Sequence, residues 1–378
     1  LGIIAGITVF YPALGLQGLG WGVVVGSFLH FAIQMPAVFR DGFFNTVPRF
    51  SEGKALLETV FLSLPRALAL SMNQLTFIGI TAIASTLAAG SIAVFMFAYN
   101  LQAVPLAIVG ASYSVAAFPT LASAIAQGQR VEFIAHIATA ARYVLFWSLP
   151  ATALIIVLRA HIVRVVLGSG AFDWTDTRLT AAAFALLALA LVAQGLTLLL
   201  VRGYYAAGRT FTPFFVSIGI AAGILGLGVA LVSLRNDFLV FTVQSLLRVE
   251  DVPGGTVLAL AFVYALVTIL GTCVLTYLFE RKFRGFIAQV APAWWQSLVA
   301  AVASGVAAYS VLVFLGPLEF SSTTLSVFTK GFAAGVIGII VALIAYHLLG
   351  SREYAETFGS LRDRLYTRRL PAPAVAIA

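Results

Sequence analysis

Side chains able to do chemistry are few in this chain, and most of them are amides. His30 and Gln34, Asn73 and Gln74, Asn100 and Gln102, Gln194 and Gln296 fall inside long apolar runs, joined there by Arg66. Hydrocarbon makes such groups costly, so they face a bundle interior or a wet cavity. His30 and Gln34 stand one helical turn apart and share a face. Asn73 and Gln74 lie in one run, Asn100 and Gln102 in the next, and a very short loop around Ala89–Ser91 makes the two helices antiparallel neighbours. Two readings stand side by side: the amides line one polar cavity, or they hydrogen-bond between helices and only glue the bundle. Arg66 follows Pro65 near a helix end, where it either snorkels to the headgroups or offers an anion contact inside a cavity. Arg142 has the same two readings.

Other chemistries lack their residues. His30, His136, His161 and His347 show no metal-ligand spacing, and the single Cys273 makes neither a disulfide nor a thiolate cluster. It reads as a small core-filling residue. Asp173 with Asp176, and Glu250 with Asp251, are loop pairs that read as solvated connectors; no acid pair falls inside an apolar run. The glycine runs Gly15–Gly22 and Gly223–Gly228 follow no strand, so they are packing glycines rather than phosphate cradles. Small residues four apart (Gly18, Gly22 and Gly26; Gly219 and Gly223; Gly331 and Gly335) let helix backbones approach closely. The expectation is no enzyme, no metal and no cofactor.

The elements that must position these residues follow from composition. Of 378 residues, 61% are hydrophobic and 10% charged, a balance that a soluble fold could not bury. The net charge of +8 comes from scarce acids rather than abundant bases, which argues against a nucleic-acid partner. Candidate spans are 19–39, 61–88, 92–121, 137–158, 179–201, 211–234, 256–279, 294–316 and 329–349, after a partial one at 1–11: nine whole spans and one remnant. The chain opens at Leu1 directly in an apolar stretch, as a piece cut from within a longer protein would. One alternating set of connections holds fourteen Lys and Arg against six in the other, which makes the first set, and the C-terminus, cytoplasmic. Residues 40–60 mix charges with Phe43, Phe44 and Phe50, as an interfacial linker does, and 350–378 is a basic tail suited to anionic lipid. Pro65, Pro105, Pro119 and Pro150 fall inside or at the ends of spans and are expected to bend them.

Three stretches carry a family resemblance. From Ser63 to Pro119 run Leu64-Pro65, Ser71-Met72-Asn73-Gln74, Ala84-Ser85, Gly90-Ser91, Phe97-Ala98-Tyr99-Asn100-Leu101 and Pro105. Gly170-Ala171-Phe172 precedes the 179–201 span, and residues 202–213 read Arg-Gly-Tyr-Tyr-Ala-Ala-Gly-Arg-Thr-Phe-Thr-Pro. Together, over roughly 19–235, these resemble the MurJ/MviN lipid II flippases of the MOP transporter superfamily. The resemblance implies an all-α, MOP/MATE-like transmembrane bundle in the bacterial inner membrane. In its fourteen-helix plan, 1–39 is the end of an N-terminal lobe, 61–279 the C-terminal six-helix lobe, and 294–349 an extra helix pair that forms a groove for a lipid tail. It implies alternating access, a polyprenyl-linked saccharide lipid as cargo, and membrane lipids and cell-wall synthesis proteins as partners. Asn73, Gln74, Asn100 and Gln102 would line the cavity with Arg66 at its cytoplasmic mouth, and His30 and Gln34 would serve the other lobe. Arg202, Tyr204, Tyr205, Gly208, Arg209, Thr212 and Pro213 would form the cytoplasmic loop motif.

The chain departs from that pattern at three places. Asn100 stands where the family often has a cavity arginine, so this lobe brings less charge to a pyrophosphate. Ile80 lies near a position that in some members is acidic and implicated in cation binding, and Arg209 replaces a common aspartate. These changes keep two rivals open: another MOP flippase for polysaccharide or O-antigen lipids, and a scaffold that retains the fold without transporting.

Overall fold

The computed structural model describes residues 1–41, 53–168, 170, 172–233, 237–316 and 323–367. Among these every regular element is a helix, as backbone groups in hydrocarbon require. The chain divides into two compact units, Leu1–Phe61 and Leu62–Ala378.

In the first unit α1 (Gly2–Leu14) folds back along α2 (Leu16–Arg40). The glycine stripe expected to pack does so: a Cβ on Gly22 would lie 2.5 Å from the Cα of Gly6. No residue with a side chain fits there, so the two backbones touch. The expected linker 40–60 lies partly outside the described residues, and from Gly53 onward the chain is already helical.

The second unit continues from α3 (Gly53–Ser85). It comprises α4 (Ser91–Ala126), α5 (Arg130–Leu167), α6 (Trp174–Leu189), α7 (Leu191–Ala206) and α8 (Phe211–Ser233). After them come α9 (Asp237–Leu247), α10 (Thr256–Lys282), α11 (Phe286–Leu315), α12 (Thr324–Leu348) and α13 (Arg352–Thr367). Among the described residues eight helices are long and apolar enough to span a membrane, and the bent pair α6–α7, taken as one span, makes a ninth. Four expectations change. The span expected at 179–201 is two helices meeting at 41° around Ala190. The connection at 235–255 contains an 11-residue helix, α9, and the basic tail is helical from Arg352 to Thr367, with 368–378 outside the described residues. Cys273, expected in the core, is exposed on α10.

Alanine-rich α6, with Ala181, Ala182, Ala183, Ala185 and Ala188 all buried, lets α4, α5 and α10 close around it. The 38-residue α5 packs on α4, α6, α7, α11 and α12, so it joins the last two spans to the rest. Gly331, Gly335 and Gly338 bring α12 onto His161, Leu158 and Leu154 of α5. All four expected prolines lie within helices, and Pro105 is followed by a π-helical turn over Leu106–Ala111.

Side-chain contacts define two ends of this unit. At one, Phe279 of α10 stacks near Phe133 of α5, Tyr204 of α7 and Phe286 of α11. At the other, Arg178 of α6 donates two hydrogen bonds to Asp251 at 2.6 and 2.7 Å. The loop pairs expected as bare connectors have structural work there. Asp173 and Asp176 form a capping box at the start of α6, and hydrogen bonds from the Arg178 guanidinium hold the Asp251 carboxyl below the usual carboxylate range.

Candidate functional site

Arg66, Asn73 and Phe77 are spaced seven and four residues apart on α3, so they form one stripe. Its two outer members are held. The Arg66 guanidinium lies 5.2 Å over the Tyr205 ring of α7, and the Phe77 ring lies 5.4 Å from Tyr99 of α4. Asn73 sits between these anchors, exposed, with Gln74 beside it and Asn100 next to Tyr99. None of these three amide side chains has a hydrogen-bond partner among the described residues.

Gln102 behaves differently. It is 1% exposed, and its Nε2 donates to the Leu187 carbonyl at 2.8 Å. The cause lies in the break between α6 and α7: the Ala190 N–H is the backbone donor left to the Leu187 carbonyl at the helix end, and in hydrocarbon no water adds to it. Neighbouring side chains fill the gap. Thr152 donates to the Ala188 carbonyl at the break, while within α7 Thr272 approaches the Ala193 carbonyl and Ser114 donates to that of Leu198. Thr197 and Thr272 hydroxyls meet at 2.8 Å. Gln194, on the same break, keeps a buried Nε2 without a hydrogen bond. The quartet expected to line one chamber therefore splits, with Gln102 taken up by packing.

A second grouping was not expected from spacing. Arg202, read as part of a cytoplasmic loop, lies on α7 four residues before its end, within coulombic reach of Arg66. Its Nη1 reaches the Ala111 carbonyl, in the π-helical turn of α4, at 3.5 Å. Arg66, Tyr205 and Arg202 thus form a cationic, aromatic corner between α3, α4 and α7, and neither arginine has a carboxylate partner among the described residues. The rest of the motif folds this corner. Gly208 takes φ +67°; its N–H bonds to the Tyr205 carbonyl and that of Arg209 to the Tyr204 carbonyl, the Schellman arrangement that stops a helix. Tyr204 is buried edge-on to Phe279 at 5.3 Å, and Thr212 and Pro213 open α8.

Three other expectations find their places. The ring Nε2 of His30 and the Nε2 of Gln34 meet at 2.9 Å on α2, one turn apart. Ile80 is 1% exposed in a core with Ile224 and Leu260, which leaves no ligating atom there. Arg142 does not snorkel: its Nε meets Glu353 Oε1 of α13 at 2.9 Å, although the N–H is not aimed along that line. Among the described residues no group of three or more His, Cys, Asp or Glu is placed to hold a metal. An open apolar groove of about 550 Å³ runs between α8 and α10, past Gly219 and Leu270, whereas α11 and α12 pack on each other and on α5.

The family model described as Lipid II flippase MurJ matches residues 1–329. The probable lipid II flippase MurJ of Rhizobium tropici is 30% identical over 206 residues, which is 54% of this chain and 38% of that protein. The lipid II flippase MurJ of Burkholderia cenocepacia is 25% identical over 209 residues, 54% of this chain and 40% of that protein. The chain thus matches less than half the length of these curated relatives. The solved structure of a Lipid II flippase MurJ in an inward closed conformation has a TM-score of 0.64 at 19% identity, covering 92% of this chain and 66% of that one. That likeness concerns the fold, a polytopic helix bundle. The matched residues take in the α3 stripe, the broken α6–α7 span and the Gly208 turn, and on that match the chain belongs to the MurJ lipid II flippase family, among transporters rather than enzymes.

Proposed function

We propose that the protein moves a polyprenyl-linked peptidoglycan precursor, lipid II, across the bacterial inner membrane by alternating access, with its C-terminus in the cytoplasm. The carrying observation is the corner of Arg66, Tyr205 and Arg202, whose two guanidiniums have no carboxylate partner among the described residues. Arginine forks suit phosphate oxygens, and an uncompensated pair suits a pyrophosphate better than a neutral head. The excess of Lys and Arg in this set of connections puts the corner at the cytoplasmic mouth, where the head would load. Beyond it Asn73, Gln74 and Asn100 offer free donors and acceptors to the sugars, while the polyprenyl tail stays in hydrocarbon. Membrane lipids and cell-wall synthesis proteins are its expected surroundings.

A flipping assay on the full protein in proteoliposomes tests this reading. Arg66→Ala combined with Arg202→Ala should slow lipid II translocation by roughly tenfold or more; an unchanged rate removes the corner from the mechanism. Asn100, where the family often carries arginine, favours a second cargo, a saccharide lipid with a less charged head. The headgroup masses of lipids co-purified with the full protein separate the two.

A further inference from the structure

A polar cavity lies away from the α3 stripe. It encloses about 340 Å³ between α5, the first turns of α11 and the α12–α13 turn, and its polar lining comes from Arg142, Gln289, Gln296, Arg352 and Glu353. Glu353 is fully engaged: it faces Arg142 at 2.9 Å and accepts from Ser351 Oγ at 2.9 Å. Arg352 and Gln289, by contrast, are exposed and have no side-chain partner among the described residues. Gln296 donates to the Leu349 carbonyl at 3.0 Å, which leaves its Oε1 as an acceptor. Two guanidiniums against one carboxylate leave the cavity with one positive charge in excess. A single negative charge balances that; a pyrophosphate would overshoot it.

The surroundings are those of a membrane–water boundary. Trp294 and Trp295, on the same turns of α11, are 45% and 60% exposed, as belt tryptophans are. From the cavity α13 runs off along the unit, held by Tyr143 Oη donating to Glu356 at 2.7 Å. Its Tyr354 rests against His347 and Phe358. We propose that this cavity is a resident site for one anionic glycerophospholipid, with Arg352 and Gln289 on the phosphodiester, Gln296 Oε1 on a headgroup hydroxyl, and the acyl chains in the surrounding bilayer. The site is separate from the transport reading, since neither Arg66, Asn73 nor Asn100 lines it. The bound lipid would tie α13 to the end of α12.

Native mass spectrometry of the full chain released from nanodiscs of phosphatidylglycerol or phosphatidylcholine tests the proposal. Phosphatidylglycerol should be retained preferentially, and Arg352→Ala should lower its retention roughly fivefold while Arg352→Lys keeps most of it. Gln289→Leu, which touches neither ion pair nor helix cap, should lower it roughly twofold. Equal retention of both lipids, or unchanged retention in Arg352→Ala, overturns the proposal. So does displacement of the retained lipid by inorganic phosphate, which would mark a free-anion site instead.

Discussion

Asn100 and Gln102 stand two positions apart on α4, yet they belong to different regions of the molecule. Gln102 points into the junction of α6 and α7, where its amide joins the Ala190 N–H on the Leu187 carbonyl. Asn100 lies on the side where α3 meets α4 through Phe77 and Tyr99, beside amides that satisfy nothing. At the junction and along α7 the polar atoms of Gln102, Thr152, Thr272 and Ser114 are engaged by the backbone. Along the α3 face they remain available. A polar side chain within the membrane is therefore assigned by its partner rather than by its type: engaged ones hold the bundle, and free ones can meet a ligand.

Removing an engaged group should cost most where a charge is left behind. Glu353→Ala strands Arg142, whose side chain is 17% exposed, and should destabilise the bundle by about 3 kcal/mol. The thermal midpoint should fall and α13 should become open to protease; an unchanged midpoint would place Arg142 in contact with water or headgroups after all. Gln102→Leu comes next, at about 1 kcal/mol, because it removes the buried amide bond to the Leu187 carbonyl and leaves only the Ala190 N–H there. Equal midpoints for wild type and this variant would mean that the break satisfies itself.

The exposed pair at the other end should matter less, and only above acidic pH. Folding lowers the Asp251 carboxyl below its ordinary value of 3.8, so its contribution is complete above that pH and disappears as pH falls through the lower folded value. Arg178→Ala should therefore give a small loss in midpoint at pH 7 that vanishes in strong acid; a loss that persists there would show that the Arg178 contact to the Arg248 carbonyl dominates. The smallest change in stability is expected for Asn73→Leu with Asn100→Leu, within about 0.5 kcal/mol, since neither amide holds anything. Translocation by the full protein should nevertheless fall in that variant. A marked drop in midpoint would move both amides to the engaged class.

Much of this was legible in the residues. Long apolar runs located every span to within several residues, and the four-residue glycine spacing found the α1–α2 contact because a stripe of glycines has no other way to be covered. The 202–213 motif marked a turn whose Gly208 and Pro213 have local roles. Less visible was α9, too short to stand out, and α13, whose charges hide its apolar face. Arg142 looked like a snorkelling residue because its partner is 211 positions away. The Arg66–Arg202 corner was hidden for the same reason: one arginine closes a turn after the other helix has crossed and returned.

Composition and run length alone require a polytopic helical bundle, because every backbone group in hydrocarbon must bond within its own segment. They also limit the polar actors to a short list of amides and a few arginines. Which of those actors are occupied was settled by the packing of α4, α5 and α10 around a span that breaks at Ala190. Hydrophobicity is a sum over neighbours in the chain, and a sequence displays it directly. A hydrogen bond or ion pair across helices depends on where two distant segments meet in space, so Gln102 and Asn100 part company only once the fold is in place.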